Sequence, residues 1–390
     1  KSKVRAGNMS MKTEESITST AERSSESSRE TPATSALSSP RRWLPKDLGS
    51  LPVLLGLLLI AALFQYANPN FLTPLNLTNL LVQISAVGTI SVGIVLVLLI
   101  GEIDLSVGAI SGLCAAVMAV LSTQYGWSSA VAIVVGIGCG AAIGLLHGWW
   151  LARLHVPSFV VTLAGLLGWQ GALLYVLGST GTINLTDPLI TGLVNARLPV
   201  AVGWVVGAVA FILYAALQAR QRQRKRTAGL PAPSIVALLG YLLLVGLPLT
   251  GAIALMSVNR NPNPAVPIAG IPSGVLIFLA FILFFDYLTQ RTRFGRYIFA
   301  VGGNAEAARR AGINVDRIRI LVFMLSSTLA ACGGILAASR LFAVNQSSGS
   351  GDLLLNAIAA AVIGGTSLFG GRGSTWSALL GALVIGAIAN

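Results

Sequence analysis

With 390 residues, 54% of them hydrophobic and only 10% charged, the chain has too little polar surface to cover a soluble globule of its size. It reads as all-α, a polytopic transmembrane helical bundle of about 10 membrane segments. The net charge of +13 sits in a tail and in short loops between apolar runs, so it reports orientation and argues against a nucleic-acid partner. Cys114, Cys139 and Cys332 lie in apolar segments with no CxxC spacing and no neighbouring His, which argues against a disulfide framework or a zinc site.

Residues 1–47 are rich in Ser, Thr and Glu without apolar periodicity and predict a disordered cytosolic tail; residues 48–390 form the transmembrane domain. The chain opens on Lys1, with Met9 and Met11 after it, so a natural start at either or upstream is expected. No signal peptide is visible. The first membrane helix runs from Ser50 to Tyr66, and a turn-rich link leads to a second, Leu80 to Ile100. GEIDLSVG then interrupts the apolar sequence before a third helix, Leu105 to about Leu121.

The fourth helix, Ala130 to Trp150, carries Gly136, Gly140, Gly144 and Gly148 at every fourth position, one face on which another helix can approach closely. Gly136, Gly138 and Ala141 also match GxGxxA. A dinucleotide site is rejected, because no acid occurs between Asp104 and Asp187. The fifth helix follows VPSF, and the segment up to Pro199 is polar and turn-rich. A sixth helix, Leu198 to Leu217, ends in Arg220, Arg222, Arg224, Lys225 and Arg226, which places that loop in the cytosol. Helices seven (Ile235–Met256) and eight (Val275–Thr289) bring the chain back to the same side.

There lies a basic island, 291–316, with Arg291, Arg293, Arg296, Arg309 and Arg310 against Glu306 and Asp316. Its NAEAARRAG core predicts a short surface helix capped by Asn304; a loop held inside by charge alone is the other reading. The ninth helix, Ile318 to Ala338, leads outward. AIAAAVIGGTSLFGGRGS then predicts a Gly-broken or re-entrant segment, because about thirteen residues at about 1.5 Å each barely enter ~30 Å of hydrocarbon. The last run stops, still apolar, at Asn390, which suggests a truncated chain lacking a final helix.

There is no GxxxxGK[ST] loop, and Lys225 is the only lysine after residue 46, so nucleotide binding by a phosphate loop is excluded. No HExxH, GxSxG or paired-carboxylate set occurs. The acids Glu102 and Asp104 at the helix break, with Ser106, read either as caps of the third helix or as part of a gate. A path for a hydroxylated solute needs amides, hydroxyls and aromatic faces, and Gln83, Ser85, Trp169, Gln170 and Asn345 are the candidates; packing or interfacial roles are the alternative.

Glu306-Ala307-Ala308-Arg309-Arg310-Ala311-Gly312 fits the EAAxxxG signature of permease subunits of ATP-binding-cassette importers. The wider GGNAEAARRAGINV resembles the form in sugar permeases of the ribose/xylose type. GEIDLSVG (101–108), VPSFVVTLAG (156–165) and AAVIGGTSLFGGRGS (360–374) are similar to further motifs of that family, while HGWW (147–150) and the RQRQRKR loop resemble its xylose branch. The IxLP ending of the general importer loop is absent, and the family's last helix is expected beyond Asn390.

The resemblance implies a multi-pass protein of the bacterial cytoplasmic (inner) membrane, with a cytosolic N-terminus. It acts as a homodimer with an ATPase subunit and an extracytoplasmic sugar-binding protein. ATP is bound by the ATPase, and no cofactor or metal belongs to this chain. Gly303, Asn304, Glu306, Ala307, Ala308, Arg309 and Gly312 are implied in coupling, the alanines packing against the ATPase and Gly312 making the turn. The binding protein would dock on outer loops 179–199 and 259–272. An ion-coupled secondary transporter of small polar solutes, relaying through Glu102, Asp104 or Asp286, is the rival expectation.

Overall fold

The computed structural model describes residues 51–261, 263, 265 and 267–390. The expected tail over 1–47 lies outside them. Among the described residues the chain forms helices α1 (Leu51–Ala67), α2 (Pro74–Leu99), α3 (Val107–Thr123), α4 (Ser129–Arg153), α5 (Ser158–Leu177), α6 (Pro188–Asn195), α7 (Val200–Thr227), α8 (Ile235–Ser257), α9 (Ser273–Arg291), α10 (Arg293–Gly303), α11 (Ala305–Arg310), α12 (Val315–Leu341), α13 (Asp352–Ile363) and α14 (Trp376–Ala389). Short strands β1 (Thr182–Asn184) and β4 (Ala343–Asn345) pair antiparallel, as do β2 (Arg197–Leu198) and β3 (Ile271–Pro272). Seven helices are long and apolar enough to cross a membrane, and α1, α3, α13 and α14 are apolar but shorter. The protein is a polytopic helical bundle.

Local chemistry sets the helix starts. Thr73 accepts a hydrogen bond from the Asn76 amide and Pro74 occupies the first helical position, so α2 begins six residues before its apolar run does. Asp187 and Pro188 do the same for α6, within the segment expected to be turn-rich; the Asp187 carboxylate accepts from the Leu189 and Ile190 amides at 2.9 and 3.2 Å. At the other extreme α7 continues through the basic run to Thr227, where Arg224, Lys225 and Arg226 complement the negative helix end.

The centre of the bundle is α12 crossing α2, α3 and α4. The glycine face of α4 lies on α12 as expected. A Cβ on Gly140 would stand 2.6 Å from the Ala331 Cβ, one on Gly144 2.5 Å from the Phe323 carbonyl, and one on Gly148 2.6 Å from the Ile320 Cα. Without hydrophobic drive between helices in lipid, such backbone proximity supplies the association through van der Waals contact. By contrast, α8 is almost wholly on the outside and packs chiefly on α7. Helices α13 and α14 form an antiparallel hairpin joined by residues 364–375. Its turn reaches the end of α2, where the Gly371 amide donates to the Leu99 carbonyl at 3.0 Å. The Gly-broken segment expected here is thus a hairpin whose glycines, Gly365, Gly370, Gly371 and Gly373, all take positive φ.

Candidate functional site

The basic island folds into two helices. Thr292 caps α10, accepting from the Gly295 amide, and α10 ends at Gly303. Asn304 then caps α11, its side chain accepting from the Ala307 amide at 2.9 Å. At the far end of α11, Gly312 adopts φ +83°, its amide donates to the Arg309 carbonyl and the next amide, Ile313, donates to the Ala308 carbonyl. This pair of reversed bonds closes a short helix on a left-handed glycine. Two residues later Asn314 caps α12 by accepting from Arg317. A six-residue helix is thereby fixed at both ends, which propensity alone would not hold.

Glu306, Ala307, Arg309, Arg310 and Gly312 are exposed, whereas Ala308 is turned into the protein's own core beside Ile313 and Val315. The expected packing of both alanines outward therefore divides: Ala307 faces out and Ala308 anchors. Glu306 pairs with Arg310 at 3.2 Å and with Arg309 at 3.7 Å, and Arg309 also reaches Asp316 at 3.7 Å. At this exposure such pairs order the surface more than they stabilise it. A cleft of about 370 Å3 opens alongside, between Phe294 and Tyr297 of α10, the Gly312–Asn314 turn, and Arg317 of α12.

The GEIDLSVG turn sits at the same end of the bundle. Glu102 meets Arg319 of α12 at 3.0 Å, tying the turn to the helix that begins just after Gly312. Asp104 is buried and accepts from both the amide and the hydroxyl of Ser106, at 2.9 and 2.5 Å. The Ser106 oxygen lies 3.3 Å from His147 Nδ1, and Trp169 donates its indole N–H to His147 Nε2 at 3.0 Å. With Nε2 accepting, the neutral imidazole carries its proton on Nδ1. The chain then reads Trp169 to His147 to Ser106 to Asp104, each donating to the next. The second Asp104 oxygen has no hydrogen-bond partner among the described residues. Of the two residues expected to cap, Asp104 accepts from the Ser106 amide at the start of α3, whereas Ser106, at the N-cap, makes no side-chain cap bond because its hydroxyl is turned to Asp104.

Residues 76–390 match the family described as branched-chain amino acid transport system / permease component. The chain belongs to that family. Among relatives of this permease, the xylose transport system permease protein of Escherichia coli (strain K12) is 38% identical over 320 residues, 82% of this chain and 79% of the relative. The xylose transport system permease protein of Haemophilus influenzae (strain ATCC 51907 / DSM 11121 / KW20 / Rd) is 34% identical over 87% of this chain and 88% of its own. The ribose import permease protein of Escherichia coli (strain K12) is 32% identical over 90% and 88%. No solved structure matches.

The five residues expected along a solute path do not converge in this permease. Ser85 is buried and donates to the Val82 carbonyl of its own helix, Gln83 is half-buried on α2, and Trp169 is engaged by His147. Gln170 donates to the Gln346 carbonyl at 3.1 Å, next to Asn345, which brings these two together from distant segments. Asp286 of α9 stands 3.5 Å from the Thr375 hydroxyl, in the turn between α13 and α14. The segments 179–199 and 259–272 meet through the β2–β3 pair, and Arg260 is held there by the Met256 and Gly270 carbonyls. His147 and Arg319 carry the structure around the 101–106 turn; from the sequence Arg319 was not singled out, and His147 entered only as the first residue of HGWW, without a role. The signal available was scarcity: the chain has two histidines, and one lies inside an apolar helix.

Proposed function

We propose that this permease is the membrane-spanning subunit of an ATP-binding-cassette importer in the bacterial cytoplasmic membrane. Its solute is a monosaccharide, D-xylose, delivered by an extracytoplasmic sugar-binding protein. It works as a homodimer with ATPase subunits; they bind the ATP, and the permease holds no nucleotide, cofactor or metal and changes no bond. Its N-terminus lies in the cytosol, on the side of the basic loops.

The observation that carries this reading is α11: a helix of six residues, capped by Asn304 and closed by Gly312, presenting Glu306, Ala307 and Arg309 outward beside a cleft. A polar helix finished at both ends and left uncovered suits a rigid contact for a partner. The names of the xylose and ribose relatives support the choice of solute. Closure of the ATPases would push α11, and the Glu102–Arg319 pair would carry that displacement to the α2–α3 turn during alternating access. An enzymatic role is disfavoured by the order of the buried polar chain. Asp104 binds the serine hydroxyl instead of orienting the imidazole, and Ser106 is sealed from solvent.

The test is reconstitution. Together with an ATPase subunit and a xylose-binding protein in proteoliposomes, the permease should accumulate D-xylose only with ATP. Accumulation by this chain alone on a proton or sodium gradient would establish the ion-coupled transporter instead.

A further inference from the structure

Residues 345–351, Asn-Gln-Ser-Ser-Gly-Ser-Gly, run from the end of β4 to α13, with Ser348 and Gly349 against α3. A Cβ on Gly108 of α3 would stand 2.5 Å from the Gly349 carbonyl, and Gly112 of α3 is pressed by the Ser348 carbonyl. Ser111, between them, abuts Gly334. Gly334 is seven residues before the last residue of α12, about 10 Å inside that helix at about 1.5 Å per residue. Gly349 and Gly351, with φ +77° and +61°, let the strand turn into this space and out again. Non-helical backbone at such a depth persists only where protein buries it or where it lines a wet cavity. Ser348 and Gly349, the part against α3, are half-buried, and Gln346 and Ser347 beside them are exposed, so the segment is open on one side.

The segment walls a cavity of about 190 Å3 together with Ser111, Gly334 and Leu353. One water needs only ~10–15 Å3 by such a measure. Among the described residues no charged side chain lines this space. Asn345 Oδ1 accepts from the Ser347 amide at 3.0 Å and from the Ser347 and Ser348 hydroxyls at 2.8 and 3.3 Å, while its Nδ2 group has no protein partner among the described residues. The serine hydroxyls, Ser111 and Ser350 included, donate back to the protein; the Ser348 oxygen also accepts from the Asn345 amide at 2.9 Å, and those of Ser111, Ser347 and Ser350 are left as acceptors. The cavity thus offers an amide donor pair and several hydroxyl acceptors, the complement of a group that both donates and accepts. A zwitterionic amino acid would leave two charges unpaired there.

We propose that this cavity is a site for a neutral monosaccharide on its way through the permease, with Asn345 Nδ2 as the principal donor. The site rests on the sugar-importer reading. It is tested on the full assembly with its ATPase and binding protein, in vesicles, with Cys114, Cys139 and Cys332 replaced. Ser347→Cys should react with a charged, water-soluble methanethiosulfonate reagent, and D-xylose should slow that reaction several-fold. Leu244→Cys, on the outer face of α8, should stay unreactive. Asn345→Asp keeps the oxygen that organises the turn and removes the amide donors, and should raise the D-xylose concentration for half-protection about tenfold. Absence of labelling, absence of protection, or an unchanged half-protecting concentration, in assemblies that still accumulate D-xylose, overturns the site and leaves the importer reading standing. If the unmodified assembly accumulates no D-xylose, the importer reading falls and takes the site with it.

Discussion

Gly312 closes α11, and its substitution separates backbone conformation from crowding. A Cβ added there meets no atom within 4 Å, so Gly312→Ala introduces no clash. What it introduces is a side chain at φ +83°, which costs about 1–2 kcal/mol for an ordinary L-residue and less for Asn. At 1.4 kcal/mol per factor of ten, Ala lowers the population of correctly closed α11 about 5- to 30-fold. Gly312→Pro cannot reach this φ at all and loses the amide that donates to Arg309, for a cost of roughly 3 kcal/mol or more. The assay is ATPase activity stimulated by the loaded binding protein in proteoliposomes, with the amount of inserted permease measured in the same vesicles. Stimulation should fall in the order Gly, Asn, Ala, Pro while insertion stays constant. Full stimulation with Pro would remove α11 from the coupling mechanism.

Gly144→Leu should lower the thermal midpoint of the detergent-purified permease by an amount matching about 1–3 kcal/mol, since its Cβ alone would collide with the Phe323 carbonyl and the Met324 Cα. Gly138→Leu on the same helix meets nothing and should leave the midpoint unchanged; equal effects would refute the α4–α12 contact. For Glu102 and Arg319, 16% and 24% exposed, a cycle of Glu102→Gln, Arg319→Gln and the double variant should give a coupling of about 1 kcal/mol after allowing for solvent screening. Additive single effects would mean that the pair transmits nothing. The Asp187 carboxyl is held below its usual range by a hydrogen bond with Ser129 and by the Ile190 and Leu189 amides. Its contribution to α6 is complete above the ordinary carboxylate pKa and is lost as pH falls through the lowered one. Protection of the α6 amides, measured against their intrinsic exchange rates at each pH, should therefore fall in acid, and Asp187→Asn should flatten that dependence.

Hydrophobic runs revealed the membrane helices because a spanning segment must satisfy its own backbone, which leaves apolar length as a local signal. Gly136 to Gly148 announced a close helix contact in the same way, since spacing by four defines a face before its partner is known. Asn304 and Gly312 were also readable, as each acts on amides or carbonyls a few residues away. At residues 101–106 local chemistry told half: Asp104 takes the Ser106 amide as a cap would, but the Ser106 hydroxyl is claimed by Asp104 and by His147, the latter 41 positions on. Ala308 looked like a surface alanine of a polar helix and is buried because α12 folds back over it. Asn345 and Gln170 become neighbours only through the pairing of β1 with β4, a contact of two distant segments that no periodicity encodes.

Where the α13–α14 turn meets α10 and α2, three stretches of main chain touch without side chains between them. Gly302 leaves no room for a Cβ against the Leu99 carbonyl, and one on Gly370 would stand 2.6 Å from the Gly302 carbonyl and 2.9 Å from the Gly101 amide nitrogen. Small shifts in proteins are ordinarily absorbed by side chains changing rotamer. Here there are none to change, so the joint has no slack: the end of α10 cannot advance without the end of α2 and the hairpin turn advancing with it.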